Sequence, residues 1–288
     1  MPDRDLVSSH YTHGRLVDAI AEGVARLGKT IDSVEVEDLA PVDEFHVGGR
    51  VATEALLDQL AITASHRVLD VGCGLGGASR FAAHRYGCHV TGIDLTPEYV
   101  ATGNALCGWV GLGARIDLTV GDATALDFPD ASFDRAFIIH VGMNIADKAL
   151  LAAELYRVLR SGGRAGIYDI MRITAGELQY PVPWAGSAEG SALAGPHEYK
   201  AALEAVGFTL VAERNRRDFA LEFFGRMQAR AQSADGPPPL GIHILMGASA
   251  PTKVRNMIDN IARDLIAPVE LIVEKPASAG QSRHGDGR

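Results

Sequence analysis

Apolar residues recur along the chain in two rhythms, one helical and one strand-like, and the change between them divides the sequence. Residues 14–27 (GRLVDAIAEGVARL) carry apolar positions every three or four residues, which predicts a helix with one apolar face. The segment 41–50 (PVDEFHVGGR) is predicted to be a loop, and a helix is expected at about 50–60.

From His66 onward, short apolar runs alternate with helical segments. The predicted strands are HRVLDVG, HVTGIDL, RIDLTVGD, FDRAFIIHV and GRAGIYDI. The predicted helices between them cover 77–86, 97–110 and 147–160. This alternation predicts an α/β fold in which a doubly wound parallel sheet is buried between helices on both faces.

After Asp169 the pattern becomes less regular. The segment LQYPVPWAGSAEGSALAGP is predicted to be an ordered lid or substrate loop, with disorder as the alternative. The later elements are a helix near 197–206, the strand FTLVAER, helical residues 218–264 interrupted by SADGPPP, and the strand VELIVEK. The C-terminal ASAGQSRHGDGR is predicted to be disordered.

Composition and charge narrow the class of partner. The 288 residues are 47% hydrophobic and carry a formal net charge of −9, which is typical of a globular protein and disfavours nucleic acid. The three cysteines include no CxxC pair, which argues against a disulfide framework or a metal site and favours a reducing cytoplasm. No signal peptide and no run of about 18 apolar residues is present, so no membrane span is expected.

A glycine-rich loop, VLDVGCGLGGASRFAA (68–83), lies between a predicted strand and a predicted helix. Gly72 and Gly74 let the backbone turn tightly and approach a ligand, and amides at the start of the helix favour a polar or anionic group. The loop also matches the GxGxxG pattern through Gly72, Gly74 and Gly77, so a dinucleotide-binding oxidoreductase is an alternative.

Three acidic residues help to distinguish a dinucleotide-binding oxidoreductase from a protein that binds a different ligand at the glycine-rich loop. Asp70, two residues before the first glycine, would repel a pyrophosphate but can orient a cationic amino acid group. Asp94 follows Gly74 by about 20 residues, a spacing that suits a carboxylate on both ribose hydroxyls. Asp122 follows a third strand, where it can accept a hydrogen bond from an adenine amino group. The alternative for all three is that they cap helices.

With these motifs the chain resembles the class I S-adenosylmethionine-dependent methyltransferases. The resemblance covers about residues 60–172, through VLDVGCGLGG, VTGIDLTPEYV, GDATALDFPDASFD and ELYRVLRSGGRAGIYD. The N-terminal helical segment, the helical insertion and the ending VEKP are similar to small-molecule enzymes of the tocopherol, sarcosine/dimethylglycine and rebeccamycin-sugar types. Because these enzymes methylate carbon, nitrogen or oxygen, the resemblance does not choose the acceptor.

The resemblance implies a fold and a division of the chain. It implies a Rossmann-like sheet, mostly parallel, in which an antiparallel last strand lies beside the fifth. Residues 1–47 would form an N-terminal helical cover, and 48–275 the methyltransferase domain with a helical cap inserted at 218–264. Residues 276–288 would be a disordered tail.

The resemblance also implies cofactor contacts near the first two strands. Gly72 and Gly74 would face the methionine part of S-adenosyl-L-methionine, with Asp70 close by. Asp94 would hold the ribose, and Leu95 would lie beside the adenine.

Further contacts are implied at the third and fourth strands. Asp122 and Ala123 would meet the adenine edge, and His140 would lie between cofactor and acceptor. Many relatives carry an acid at this position and a histidine four residues later, whereas this chain has His140 and then Asn144. Asn144 is accordingly expected to contact the acceptor, and no general base is transferred from the relatives.

Methyl transfer needs an acceptor held in line, and a hydroxyl acceptor also needs a base. His140 and Asp169 are the candidate catalytic residues, because both end strands at the carboxyl edge of the sheet. The alternatives are a wall residue for His140 and a loop cap for Asp169. Tyr11 and His13 are candidates for a lid over the cofactor, and surface exposure is the alternative.

Two loops complete the predicted site. Tyr180 and Trp184 lie on the proline-rich loop, where they would line the acceptor pocket unless they pack on the core. His46, in DEFHVGGR, is expected to reach the carboxylate of the cofactor, with a simple helix-start loop as the alternative. No metal is expected, because no ligand pattern for one occurs.

The sequence therefore predicts a methyltransferase that uses S-adenosyl-L-methionine to methylate an amine or hydroxyl of a small metabolite. The alternatives are a C-methyltransferase, a non-catalytic S-adenosylmethionine-binding protein and a nicotinamide-dependent oxidoreductase. The expected partner is a small-molecule acceptor. Both a monomer and a homodimer are compatible with the sequence.

Overall fold

The observed elements follow the predicted alternation of strands and helices. The computed structural model describes residues 14–233, 236 and 238–277. The strands are β1 (Arg67–Val71), β2 (His89–Asp94), β3 (Ile116–Val120), β4 (Phe133–Ile139), β5 (Leu159–Arg172), β6 (Thr209–Asn215) and β7 (Ile266–Glu274). The helices are α1 (Leu16–Arg26), α2 (Val36–Asp43), α3 (Gly49–Leu57), α4 (Gly77–Tyr86), α5 (Pro97–Trp109), α6 (Lys148–Val158), α7 (Pro196–Ala205), α8 (Arg217–Gln232), α9 (His243–Met246) and α10 (Ala250–Ala262).

All seven strands form one sheet, in the order β3-β2-β1-β4-β5-β7-β6. The pairs among β1 to β5 are parallel, whereas β7 runs antiparallel between β5 and β6. The predicted Rossmann-like sheet, with its last strand antiparallel beside the fifth, is confirmed. Because β1 and β4 are neighbours, the loops after them meet at the carboxyl edge of the sheet.

The sheet is covered on both faces. One apolar cluster contains Leu151 and Leu155 of α6 packed on the sheet, and another contains Leu56 and Phe81 of α3 and α4. A third cluster joins α1 to the segment around Leu240. Within the described ranges, no helix has both the length and the apolar character needed to cross a membrane.

The N-terminal region differs from the prediction in one respect. Helix α2 occupies Val36–Asp43, so part of the predicted loop 41–50 is helical despite Pro41. The side chain of Asp38 caps the start of this helix, and the burial of Leu39 and Val42 outweighs the hydrogen bond that proline cannot make.

A buried ion pair attaches this N-terminal region to the sheet domain. The guanidinium of Arg80, on α4, has no exposed surface and donates to Asp43 Oδ1 at 2.6 Å. It also donates to the carbonyl of Gly103 at 3.2 Å. Since α4 begins directly after the glycine loop, this pair sets the position of α2 relative to that loop.

Replacing Arg80 should destabilise the protein more than replacing an exposed arginine of the same helix. Arg80→Leu would leave the Asp43 carboxylate buried without a partner, and we expect a loss of about 3–5 kcal/mol in the free energy of unfolding. Urea denaturation measures this loss. Arg85→Leu is the matched control, because the Arg85 side chain is 42% exposed and its ion pairs are solvated. Equal effects of the two substitutions would contradict the structural role of the buried pair.

Candidate active site

The glycine loop turns sharply at the end of β1. The amides of Gly72 and Cys73 both donate to the carbonyl of Ile93, at 2.8 Å each. Gly72 has a φ of +75°, and a Cβ on it would lie 2.3 Å from Cγ2 of Val141. Only glycine permits this left-handed turn and this close approach. The loop is therefore held directly against the residue that follows His140.

Asp94, at the end of β2, holds the other side of this loop. Its Oδ2 accepts from the amide of Gly74 at 2.9 Å, and its Oδ1 accepts from the amide of Thr96 at 2.8 Å. The side chain of Thr96 also forms a hydrogen bond with this carboxylate. The half-buried Leu95 follows it directly. This arrangement is compatible with the predicted ribose contact.

Asp122 lies beyond the end of β3, on the same edge. Its Oδ1 accepts from the amide of Thr124 at 2.8 Å and from the hydroxyl of Thr124 at 2.7 Å. Ala123 is buried beside it, 8% exposed. The sheet thus brings Asp94, Asp122 and the glycine loop to one edge, as the sequence predicts.

Asp70 is buried beneath the glycine loop, with 2% of its surface exposed. Its Oδ2 accepts from the hydroxyl of Ser79 at 2.6 Å. Burial, together with the neighbouring charges of Asp94 and Glu44, raises the pKa of Asp70 to about 7, against the hydrogen bond from Ser79. A cation that arrived nearby would favour the ionised form.

His140 follows β4 and faces the same edge. Its φ is +55°, its amide donates to the carbonyl of Tyr168 at 2.8 Å, and its ring centroid lies 5.3 Å from that of Tyr168. Its Nε2 atom is buried and has no hydrogen-bond partner among the described residues. Burial, together with the nearby His46, lowers the pKa of His140 well below 6.5, so the ring is neutral.

Asn144 ends the 3-10 turn that follows, Gly142–Asn144. Its Oδ1 is also buried, and within the described part of the chain it has no partner. The structure therefore leaves two buried polar atoms, one on His140 and one on Asn144, unsatisfied at the carboxyl end of one strand. Such atoms are costly unless a ligand pairs with them.

Asp169 is buried at the end of β5, but its oxygens are engaged within the protein. Oδ2 accepts from the hydroxyl of Tyr199 at 2.7 Å, and Oδ1 from the amide of Ile170 at 3.0 Å. Burial raises the pKa of Asp169 to about 6, against the Tyr199 hydrogen bond and the charge of Lys148. These contacts favour a positioning role over the predicted catalytic one, which stays a prediction.

The proline-rich loop is ordered, and its two aromatic residues lie in different surroundings. Trp184 is buried, 3% exposed, in an apolar cluster with Met143 and Ile170, and its indole N–H donates to Ser191 Oγ at 3.0 Å. Tyr180 lines an open groove between the loop and α10. Tyr11 and His13 lie outside the described residues.

The segment between α2 and α3 contains contacts that the sequence prediction missed. Nε2 of His46, predicted to reach the cofactor, lies 3.0 Å from Thr53 Oγ1, 3.1 Å from the carbonyl of Gly49 and 3.3 Å from Glu44 Oε2. The hydroxyl of Tyr168 donates to the carbonyl of Val47 at 3.0 Å. The sequence contains one signal for these contacts, which is a histidine and an acidic residue close to the start of a predicted helix.

Helix α8 lies against this segment. Gly48 has a φ of +92°, and a Cβ on it would lie 2.4 Å from Cε1 of Phe219, which belongs to α8. Phe219 also packs beside the apolar cluster of α3 and α4.

The chain is similar to known methyltransferases over part of its length. Residues 69–167 match the family described as a methyltransferase domain. Over 134 residues the chain is 34% identical to the methyltransferase GfsG of Streptomyces halstedii, covering 46% of this chain and 48% of that protein. Over 97 residues it is 42% identical to a probable chloroplastic tocopherol O-methyltransferase of Oryza sativa subsp. japonica, covering 34% of this chain and 27% of that protein. These matches span half or less of the relatives' length.

Among solved structures, the fold is similar to geranyl diphosphate C-methyltransferase from Streptomyces coelicolor A3(2). The TM-score is 0.69 at 16% identity, over 96% of this chain and 98% of that one. That structure contains Mg²⁺, geranyl-S-thiolodiphosphate and S-adenosyl-L-homocysteine. At this identity the likeness shows the fold.

Residues 69–167 are thus similar to a methyltransferase domain, and the sheet with its helices has the fold of a solved S-adenosylmethionine-dependent methyltransferase. S-adenosyl-L-methionine is the cofactor that the sequence predicts. The observed residues fit it, because the glycine loop leaves no Cβ where the backbone turns and the carboxyl group of Asp70 is buried beside the loop. We assign Asp94 to the ribose and Asp122 to the adenine edge as proposals.

The ribose assignment can be tested by deleting one carboxylate. Asp94→Ala should weaken S-adenosylhomocysteine binding by roughly 10- to 100-fold, because it removes charge-assisted acceptors and frees the Gly74 amide. Calorimetry measures the affinity. Asp117→Ala is the control, an exposed aspartate of β3. Unchanged affinity for Asp94→Ala would refute the assignment.

The raised pKa of Asp70 predicts proton release when the cofactor binds. At pH 6.5 part of Asp70 is protonated, and the cationic amino group of S-adenosylhomocysteine should displace that proton. Calorimetry in buffers of different ionisation enthalpy measures the release.

Because the folded-state pKa lies above the unfolded value, Asp70 also makes the cofactor-free protein less stable as the pH rises through 4 to 7. Asp70→Asn should abolish both effects, and their persistence in this variant would assign them to another group.

Proposed function

We propose that this chain transfers a methyl group from S-adenosyl-L-methionine to a hydroxyl or amine of a small, largely uncharged molecule. The observation that carries the proposal is a pair of buried atoms, His140 Nε2 and Asn144 Oδ1, that have no hydrogen-bond partner among residues 14–233, 236 and 238–277. His140 directly follows β4, Asn144 ends the 3-10 turn after it, and Val141 between them lies against the glycine loop. A polar group of the acceptor placed there would satisfy them.

The surroundings of these atoms support an apolar acceptor. The apolar cluster between the carboxyl edge of the sheet and the cap contains buried side chains from β5, the proline-rich loop, α8 and α10. It includes Met143, Ile170, Trp184, Phe224 and Met257. Burial of an apolar ligand against such a surface supplies affinity, while the two polar atoms fix its orientation.

Two cations of the surrounding segments, Lys148 and Arg217, already bond backbone carbonyls, which disfavours their use for a phosphorylated acceptor. Nζ of Lys148 donates to the carbonyls of Gly142 and Ala192, at 2.9 Å each, and also to the carbonyl of Ile145. Arg217 donates to the carbonyls of residues 261 and 262. Neither cation could reach a phosphate group without giving up these bonds.

The chemistry needs mainly orientation and the exclusion of water. The bound cofactor supplies an activated methyl group on a sulfonium. The protein's own residues hold the acceptor in line and keep the site dry, which Trp184, Phe219 and the segment around Gly48 support. We also propose that the chain is divided into an N-terminal cover (1–47), a cap (218–264) and a tail (276–288). A cytoplasmic location is a prediction from the sequence.

An acceptor screen tests the proposed function. Wild-type protein is incubated with labelled cofactor and a panel of uncharged phenols, alcohols and amines, and mass spectrometry detects the gain of one methyl group. Methylated products from uncharged compounds support the proposal. Binding of S-adenosylhomocysteine without any methylated product would favour a non-catalytic cofactor-binding protein, and products from carbon acceptors alone would favour a C-methyltransferase.

His140→Ala should lower kcat by about 10-fold or more while changing the cofactor affinity little, because the imidazole is expected to contact the acceptor. His84→Ala, an exposed histidine of α4, is the control. Full turnover by His140→Ala would leave His140 as a wall residue.

A further inference from the structure

His46 is a second histidine at the site, and its hydrogen bonds fix its tautomer. The carbonyl of Gly49, 3.1 Å from Nε2, can only accept. The hydroxyl of Thr53 donates to Glu44 Oε2 at 2.6 Å, so its contact with Nε2 at 3.0 Å leaves it the acceptor there. Nε2 therefore carries the proton, and Nδ1 of the neutral ring carries the lone pair.

The carboxylate of Glu44 lies close to this proton. Oε2 of Glu44 lies 3.3 Å from Nε2 of His46, and Oε1 lies 3.1 Å from Nε of Arg50, whose guanidinium lies 4.6 Å from the ring centroid of Phe81. Burial raises the pKa of Glu44, and the Arg50 ion pair and the Thr53 hydrogen bond oppose that rise. The arrangement is that of a carboxylate–histidine pair whose free nitrogen is a base.

The ring of His46 lies beside the proposed acceptor atoms. Its centroid is 5.8 Å from that of His140 and 6.3 Å from that of Tyr168, and the next residues pass beneath Phe219 of the cap. The side chains of His46 and Glu44 are 6% and 4% exposed, so bulk water does not compete freely for the proton. None of the described histidines at this edge other than His46 has a carboxylate within 4 Å.

We propose that His46, supported by Glu44, is the general base of the reaction and that the acceptor is therefore a hydroxyl compound. The inference rests on the proposed function. The acceptor oxygen forms a bond to the methyl carbon, the carbon–sulfur bonding pair returns to sulfur, and the O–H proton passes to Nδ1 of His46. The products are a methyl ether, neutral S-adenosylhomocysteine and an imidazolium that faces the Glu44 carboxylate.

The resting state agrees with this role. Burial, together with the charge of Arg50, lowers the pKa of His46 to about 4, against the hydrogen bond to Gly49. The free nitrogen is thus unprotonated at neutral pH. The charged and titratable groups that face the ring are Glu44, Arg50, His140 and Tyr168. His140, which has no such carboxylate, is better suited to accept or donate one hydrogen bond to the acceptor.

The tautomer is tested without any acceptor. Full-length protein labelled with ¹⁵N-histidine and saturated with S-adenosylhomocysteine is studied by two-bond ¹⁵N–¹H correlation, and His46→Gln identifies the signals of His46. We expect a protonated Nε2 and an unprotonated Nδ1 between pH 6 and 8. A proton on Nδ1, or a charged ring at pH 7, overturns the proposal.

Catalysis is tested with the hydroxyl compound that the wild type methylates fastest and with phenols of decreasing pKa. His46→Gln should lower kcat by about 100-fold, and Glu44→Gln by about 10-fold, with S-adenosylhomocysteine affinity unchanged within about two-fold. The loss should shrink as the phenol becomes more acidic, because an ionised acceptor needs no base. His84→Gln is the matched surface control.

Each result that would contradict the proposal leads to a different conclusion. A loss of kcat that is equal for all phenols would show that His46 acts only through the structure, and a ten-fold loss of S-adenosylhomocysteine affinity would place it on the cofactor. A wild type that binds S-adenosylhomocysteine but methylates only amines overturns the base and the hydroxyl acceptor while leaving the proposed function intact. A wild type that does not bind S-adenosylhomocysteine refutes the proposed function itself.

Discussion

The short segment from Asp43 to Gly49 holds the site together, because it is fixed to three parts of the molecule. Asp43 pairs with the buried Arg80 of the helix that follows the glycine loop. The carbonyl of Val47 accepts from Tyr168 on the central sheet, and Gly48 lies against Phe219 of the cap. Sheet, cofactor loop and cap therefore meet through one stretch of backbone, and a shift of that stretch would be transmitted to all three. The histidine in its middle is consequently held more firmly than a residue on a free loop would be.

Desolvation decides the charges at this edge of the sheet. Burial raises the pKa of Asp70 and of Asp169 and lowers that of His46 and of His140, so each group is pushed toward its neutral form. A cationic cofactor is then the main new charge that the site must accommodate. The carboxyl groups nearest to it can ionise in response, and the neutral imidazoles remain available to accept a proton or a hydrogen bond. One physical cause thus prepares the acids for the cofactor and the histidines for the acceptor.

Much of the fold could be predicted because it depends on local spacing. The strand–glycine–helix pattern at residues 68–83 and the acids that end β2 and follow β3 required only the chain itself, since parallel strands bring their carboxyl ends together. Helix α2 was missed because Pro41 ordinarily breaks helices, and its effect is outweighed by burial of neighbouring side chains that no local pattern reveals. The engagement of Asp169 by Tyr199 joins residues 30 positions apart, and depends on how α7 packs on the sheet. The tautomer of His46 likewise follows from three acceptors that only the folded segment brings together.

The left-handed backbone conformation of His140 is unfavourable for folding, whereas its imidazole is useful for the proposed reaction. A residue with a side chain adopts a φ of +55° at a cost that glycine avoids. Glycine would therefore relax the turn after β4, yet it would remove the imidazole. At this one position, selection for thermal robustness and selection for turnover should oppose each other, so libraries screened for melting temperature alone would tend to discard the histidine.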